Sequence, residues 1–168
     1  MSAPDWLHPF HQLVSELDYP LVVVTAAVND ERSGCLVGFH SQCSIDPPRW
    51  WIGISKKNHT YRVALRSSVL AVHLLSRAER ERELASLFGE ETGDQVDKFA
   101  SLAWHPALEG VPLLDDLPNR FVGRVLGRVV LGDHTGFLLE PLEVDKGEDL
   151  DGGLGFQDVR DLEPGHEA

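Results

Sequence analysis

The chain has 168 residues, 42% of them hydrophobic, which is enough to bury one sizeable core in a single domain. Its formal net charge of −12, from 27 acidic against 15 basic residues, argues against nucleic acid or an anionic membrane as the main partner. No run of about 18 apolar residues marks a spanning helix, and MSAPDWLHPFHQL has no basic region followed by an apolar stretch, so a cytoplasmic protein without membrane attachment is expected.

In chain order, Trp6 to Leu17 carries Phe10, Leu13, Val14 and Leu17 at helical spacing, and residues 1–18 read as an N-terminal helix that stops before Asp18-Tyr19-Pro20. Leu21 to Val28 is β-branched and reads as a buried strand. Asn29 to Gly34 is a polar turn that makes a hairpin with the next segment. From Ser33 the chain reads SGCLVGFHSQCSIDPPRWWIGIS. As one strand, Cys35, Val37 and Phe39 share a face, and Gly38, His40, Gln42 and Ser44 share the other. The second face either meets water or lets backbone approach a flat ligand closely. Asp46-Pro47-Pro48 ends the ladder, and Trp50 to Ile54 follows as another apolar strand.

Ser55, Asn58 and Thr60 are candidate N-caps for a short helix ending near Ser67. Val69 to Leu75 is a strand. Arg80 to Phe88 has helical spacing and is closed by Gly89. Val96 to Ala100 reads as one helical turn, and Ser101 to Asn119 as loop, with Pro106, Pro112 and Pro118. Arg120 to Leu131 and Thr135 to Val144 are long strand candidates joined by Gly132-Asp133-His134. About six strands without regular strand-helix alternation give a mainly β fold, a closed antiparallel barrel. Residues 145–168 hold eight acidic residues, two basic residues and five glycines, and read as a mobile tail anchored at most by Leu154 or Phe156.

Charge is unevenly placed. No Asp or Glu occurs from Pro47 to Ala78, while Arg49, Lys56, Lys57, Arg62, Arg66 and Arg77 do. A cationic window enclosing a helix start is either a phosphate site or an ordinary solvated helix capped by Thr60. Cys35 and Cys43, placed on one strand, lie roughly 26 Å apart. They cannot bridge each other, so both are expected as free thiols in a reducing compartment. The eight His and two Cys show no metal-ligand spacing, and no metal is expected. No Gly-rich dinucleotide fingerprint is present.

GCLVGFHSQCSIDPP resembles the signature of the flavin reductase-like, FMN-binding split-barrel family. The resemblance continues through YPLVVVTAAV, KKNHTYRVAL, VDKFASLAW, GVPLLDD and GDHTGFLLEPL, from about Tyr19 to Glu143. It implies a split-barrel domain over residues 19–144 and an NAD(P)H:flavin oxidoreductase. The cofactor would be FMN, with FAD as the alternative, and NADH or NADPH the co-substrate. It implies a homodimer, with which the Trp50-Trp51 pair is compatible, and a monooxygenase as recipient of reduced flavin.

By the same resemblance, Val37, Gly38, Phe39, His40, Ser41, Gln42, Cys43 and Ser44 contact the flavin ring and ribityl chain. Ser55, Lys56, Lys57, Asn58 and Thr60 surround its phosphate. The chain departs from the commoner pattern at Gly38-Phe39-His40 and Gln42, so single hydrogen bonds do not transfer, and His40 either donates to the ring or fills space. Lys98 is implied to contact phosphate or nicotinamide dinucleotide. Phe99 either covers the ligand or belongs to the core. His134 is implied to place the nicotinamide over the flavin; by its sequence alone it is equally a turn residue. Hydride transfer between two cofactors needs positioning more than a proton-transferring side chain. The rival readings are a flavin-binding electron carrier without direct NAD(P)H use, and a barrel that takes some other phosphate-bearing ligand.

Overall fold

The computed structural model describes residues 2–90 and 97–162, so Val96, at the start of the expected helical turn, lies outside the described residues. The strand β1, Val22–Val28, is buried almost throughout, and its continuous apolar run serves two cores. Val22, Val24 and Ala26 point inward and meet Cys35, Ile52, Leu70, Val72 and Phe137. Leu21 and Val23 point outward and meet Leu75, Leu84, Phe88, Phe99 and Leu154. β1 is paired on both sides, with β2, Glu31–Val37, and with β5, Val69–Leu74.

Seven strands form one sheet in which every pairing is antiparallel. The remaining members are β3, His40–Ser44; β4, Arg49–Ser55; β8, Arg120–Leu131; and β9, His134–Asp145. The order is β2-β1-β5-β8-β9-β4-β3, so the two edges are strands consecutive in the chain. Gly38-Phe39 crosses between them, and the Gly53 N–H donates to the Phe39 carbonyl at 2.7 Å. The sheet therefore curls onto itself with a seam, the mainly β barrel that the sequence predicts.

Several local expectations change. The single strand through Cys35 and Ser44 is two strands, and Phe39 leaves the core face with 49% of its surface exposed. Closing a small barrel requires a corner where the chain changes partner. Gly38 sits at that corner, beside Leu21 and Tyr19. The loop expected from Ser101 contains a small antiparallel pair, β6, Trp104–Pro106, with β7, Pro112–Leu114. Its prolines sit opposite each other where the connecting loop 107–111 begins and ends.

Helix α1, Leu7–Ser15, buries no residue, and Phe10 and Leu13 are largely exposed. Helix α2, His59–Ala64, closes one end of the barrel with Val63 and Ala64. The Asn58 side chain accepts its Thr60 N–H at 2.9 Å. It stops short of Ser67, whose hydroxyl donates to Val63 and Ala27 carbonyls instead. Helix α3, Glu79–Glu90, runs through Gly89 rather than ending there. A Cβ at Gly89 would lie 3.0 Å from Leu36, so this glycine permits close helix–strand approach and is not a cap. A 3-10 turn at Lys98–Ser101 follows, capped by Asp97. No helix among the described residues is long and apolar enough to cross a membrane.

The acidic segment after Val144 is packed through Leu162. Leu154 is fully buried in the outer core. Its carbonyl accepts from Leu21 N–H and its own N–H donates to Leu75, each at 2.8 Å, while Phe156 N–H reaches the Tyr19 carbonyl. Local charge did not keep this stretch off the barrel, because one buried leucine and three backbone bonds outweigh acidic side chains that still reach water. Leu154→Ala should therefore lose about 2–5 kcal/mol in urea unfolding, where a loose tail would give no change.

His73 on β5 is fully buried and bridges three elements. Its Nδ1–H donates to the Val23 carbonyl at 3.1 Å, and its Nε2 accepts the Leu114 N–H at 3.1 Å. Both bonds need the neutral ring, and burial, with nearby Arg120 repelling a second charge, pulls its pKa from 6.5 down to about 3. The unfolded chain takes up this proton first. Stability should thus be flat above pH 6.5 and fall on acidification toward pH 3, by up to ~1.4 kcal/mol per pH unit from this residue. Unfolding free energies at pH 7, 6 and 5, beside those of His73→Gln, measure that slope.

Candidate functional site

A cavity of about 550 Å³ opens at the seam, within the range of small-molecule sites. Its floor is the end of β2 and the crossing, Cys35 to Phe39, with Gly53, Ile54 and Ser55 of β4 alongside. Phe88 and Gly89 of α3 form one side, and the segment from Phe156 to Leu162 crosses another. Aromatic rings run along it: His134 lies edge-on to Phe39 at 5.0 Å, Phe39 is 6.5 Å from Tyr19, and Tyr19 is 5.5 Å from Phe156. At Gly53 a Cβ would come within 3.3 Å of Phe39, so the glycine keeps the floor flat. Polar groups gather at one end, from Ser55, Asn58 and His134. An apolar slot with flat walls and one polar end fits a planar aromatic ligand that carries a polar tail.

The polar end is stapled. Gly132, at φ +72, and Asp133 form a two-residue turn between β8 and β9. His134 opens β9 opposite Ser55. The Lys56 ammonium donates to the Gly132 carbonyl at 2.6 Å, and the Lys56 N–H donates to Asp133 O at 2.9 Å. His134 Nδ1–H donates to the Asp133 carboxylate at 2.7 Å, which holds that carboxyl below its ordinary pKa. The ring is oriented by this bond, leaving Nε2 as its other polar atom.

The model of the flavin reductase like domain matches residues 14–163. The chain belongs to the flavin reductase-like domain family. It is 28% identical over 123 residues to the high molecular weight rubredoxin of Moorella thermoacetica, covering 73% of this chain and 53% of that one. It is 29% identical over 126 residues to an FMN reductase (NADH), RutF 1, of Methylorubrum extorquens, covering 74% and 61%. The chain thus spans between half and two thirds of the length of these relatives. Among solved structures, the NADH:FAD oxidoreductase SgcE6 of Streptomyces globisporus superposes with a TM-score of 0.75 at 20% identity, over 92% of this chain and 89% of that one. The flavin reductase domain protein of an Arthrobacter species gives 0.75 and 20%, over 84% and 86%. Both likenesses show the split-barrel fold.

Of the residues singled out in the flavin reductase-like signature, the cavity gathers Val37, Gly38, Phe39, Ser55, Asn58 and His134. The rest of the strand segment lies outside its lining. His40 donates from Nε2 to the Pro20 carbonyl at 2.6 Å and stacks on Trp50, and burial lowers its pKa. Ser41, Gln42 and Cys43 are exposed on the edge strand, and Ser44 is partly so. Lys56 belongs to the staple, and the exposed Lys57 contributes its N–H to Ser55 Oγ at 3.4 Å. Thr60 is fully buried, its hydroxyl bonded to that of Ser33 at 2.8 Å. Lys98 is buried too, its ammonium 3.3 Å from the Phe88 carbonyl and 5.2 Å from the Phe88 ring. Phe99 sits between Phe88 and Trp104 in the outer core, which is the second of its two expected roles.

Sequence reasoning missed Tyr19, Phe88, Gly89, Val159, Arg160 and Leu162 as cavity residues. One signal existed: Leu154, Phe156, Val159 and Leu162 recur as apolar residues within an otherwise acidic stretch.

The two thiols lie on different strands and are not bridged. Cys35, at 2% exposure, is pushed up to about 11 by burial, whereas Cys43 is exposed. A thiolate-specific reagent at pH 8 should titrate Cys43 on the folded protein and Cys35 only after unfolding. Two fast native thiols would show that the cavity floor opens.

Proposed function

We propose that this chain is an NAD(P)H-dependent flavin reductase acting on FMN or FAD. The observation that carries the reading is the flat, glycine-floored slot at the seam, with His134 fixed by Asp133 at its polar end. The relatives support it: one is named an FMN reductase using NADH, and one structural neighbour an NADH:FAD oxidoreductase. Val37, Gly38, Phe39 and Gly53 would hold the flavin ring, and Ser55, Lys57 and Asn58 its phosphate. With only six residues, α2 adds little dipole, so hydrogen-bond donors and lysine charge do the holding.

A bound flavin supplies the hydride chemistry; the chain supplies position and shelter from water. The Asp133 bond keeps His134 from rotating, so that Nε2 would accept from a nicotinamide amide and orient the co-substrate. Lys56 maintains this by fixing the turn to the β4 end. A homodimer is part of the proposal, since α1 buries nothing and Val129 and Val130 at the β8–β9 tip are 62% and 72% exposed. The component B neighbour of a nitrilotriacetate monooxygenase supports an oxygenase as recipient of reduced flavin. Two unbridged cysteines suit the reducing cytoplasm.

Similarity to a rubredoxin favours one rival, a flavin-dependent electron carrier with no direct use of NAD(P)H. An anaerobic titration separates them. FMN should bind at least about tenfold tighter than riboflavin, as one charge-assisted phosphate bond requires. NADH or NADPH should then bleach the flavin. His134→Ala should slow that reduction on the order of 100-fold while melting at the wild-type temperature. A flavin that binds but is never bleached selects the carrier, and early melting with normal reduction makes His134 a turn residue only.

A further inference from the structure

The cavity has a second end, and the segment after Gly153 builds it. This strap is held from behind. Gln157 N–H donates to Asp18 Oδ1 at 2.9 Å, and its side-chain amide donates to the carbonyls of Ser15 and Leu17. Asp158 accepts from Arg77 Nε at 3.1 Å and from the Gly155 N–H at 2.9 Å, with Arg82 Nη2 3.9 Å away. Asp158 faces Arg77 of the β5–α3 loop and Arg82 of α3, whereas Arg160, one of two basic residues after Val144, lines the cavity. Among the described residues the Arg160 guanidinium makes a single hydrogen bond, to Gln157 Oε1 at 3.3 Å. Beside it the aromatic row ends in the Tyr19–Phe156 pair.

We propose that Arg160 and the Tyr19–Phe156 ring pair form a subsite for the adenylate half of a dinucleotide. A guanidinium is a planar fork that matches phosphate oxygens, and the rings offer faces to a purine. The reading rests on the proposed flavin site, which sets the ring and first phosphate toward Ser55 and Asn58. A mononucleotide occupies that half of the slot; NAD(P)H with its nicotinamide at His134 would reach both ends along the ring row, whereas FAD, whose adenylate is attached beyond the phosphate, would reach Arg160 only by folding back across its own ring. Arg160 is then a specificity residue that separates FAD from FMN, or NAD(P)H from its nicotinamide mononucleotide half. The shared chemistry is an adenosine phosphate.

The test uses flavin-free full-length protein and ADP as the probe, followed by calorimetry. Wild type should bind ADP, and Arg160→Gln should weaken it by about tenfold or more, the loss of one charge-assisted bond. Arg160→Lys should recover part of the affinity, and FMN affinity should move far less than that of ADP. Two further arms identify the source. A fallen FAD-to-FMN affinity ratio in Arg160→Gln assigns the subsite to the flavin. A KM for NADH that rises relative to that for reduced nicotinamide mononucleotide assigns it to the co-substrate. ADP binding equal in wild type and Arg160→Gln, or FMN lost in parallel with ADP, overturns the subsite. A wild type that binds ADP through Arg160 yet never oxidises NADH or NADPH overturns the reductase instead.

Discussion

One short connection, the two residues Gly38-Phe39 between β2 and β3, is the constraint on which the architecture turns. The edge strands β2 and β3 are separated by two residues in the chain and by five strands in the sheet. Only a sheet rolled onto itself satisfies both, and Gly38-Phe39 must be the crossing. The β3–β4 ladder runs on through Phe39 to Gly53, but β2 and β3 remain the two edges of the sheet, so a seam is left where the barrel would otherwise be sealed. The cavity lies on that seam because nothing else can fill it with regular hydrogen bonding. Phe39, turned out of the core at this corner, becomes the ring from which the aromatic wall extends in both directions.

The second dependence is on β1. A strand buried on both faces has no polar side to tell inside from outside, and its register must be fixed by other means. Pairing with β2 and β5 does part of this. His73 does more, because its two ring nitrogens tie the β1 backbone at Val23 to the β7 backbone at Leu114. A fully bonded polar group in an apolar core specifies a single arrangement more sharply than another leucine would. The small β6–β7 pair is thereby seated on the barrel with one defined docking, although it is only three residues per strand.

Much of this was legible from residue pattern. The apolar run of β1, the long β8–β9 hairpin and the turn before His134 each announce themselves locally. The break at Gly38 does not, because alternation of small and large residues continues across it, and strand closure is a property of the whole sheet. Gly89 has the composition of a helix end but answers to Leu36 on a distant strand. Lys98 looks like a surface cation. It is buried because the backbone carbonyls of Phe88 and Gly34 and a ring face accept it. The site divides in the same way. Its local part, Val37 to Phe39 with Ser55, Asn58 and His134, lies within short motifs, whereas the α3 side and the strap come together only through tertiary contacts.

The strap joins positions far apart in time as well as in sequence. Gln157 bonds to Asp18, Ser15 and Leu17, across 139 to 142 residues. During synthesis the α1 end of that junction emerges first and waits for the strap to follow it. A nascent polypeptide can pair β1 with β2 early, but it has no complete cavity until the residues near Leu162 have left the ribosome. Whatever the slot binds is therefore captured by a barrel already built.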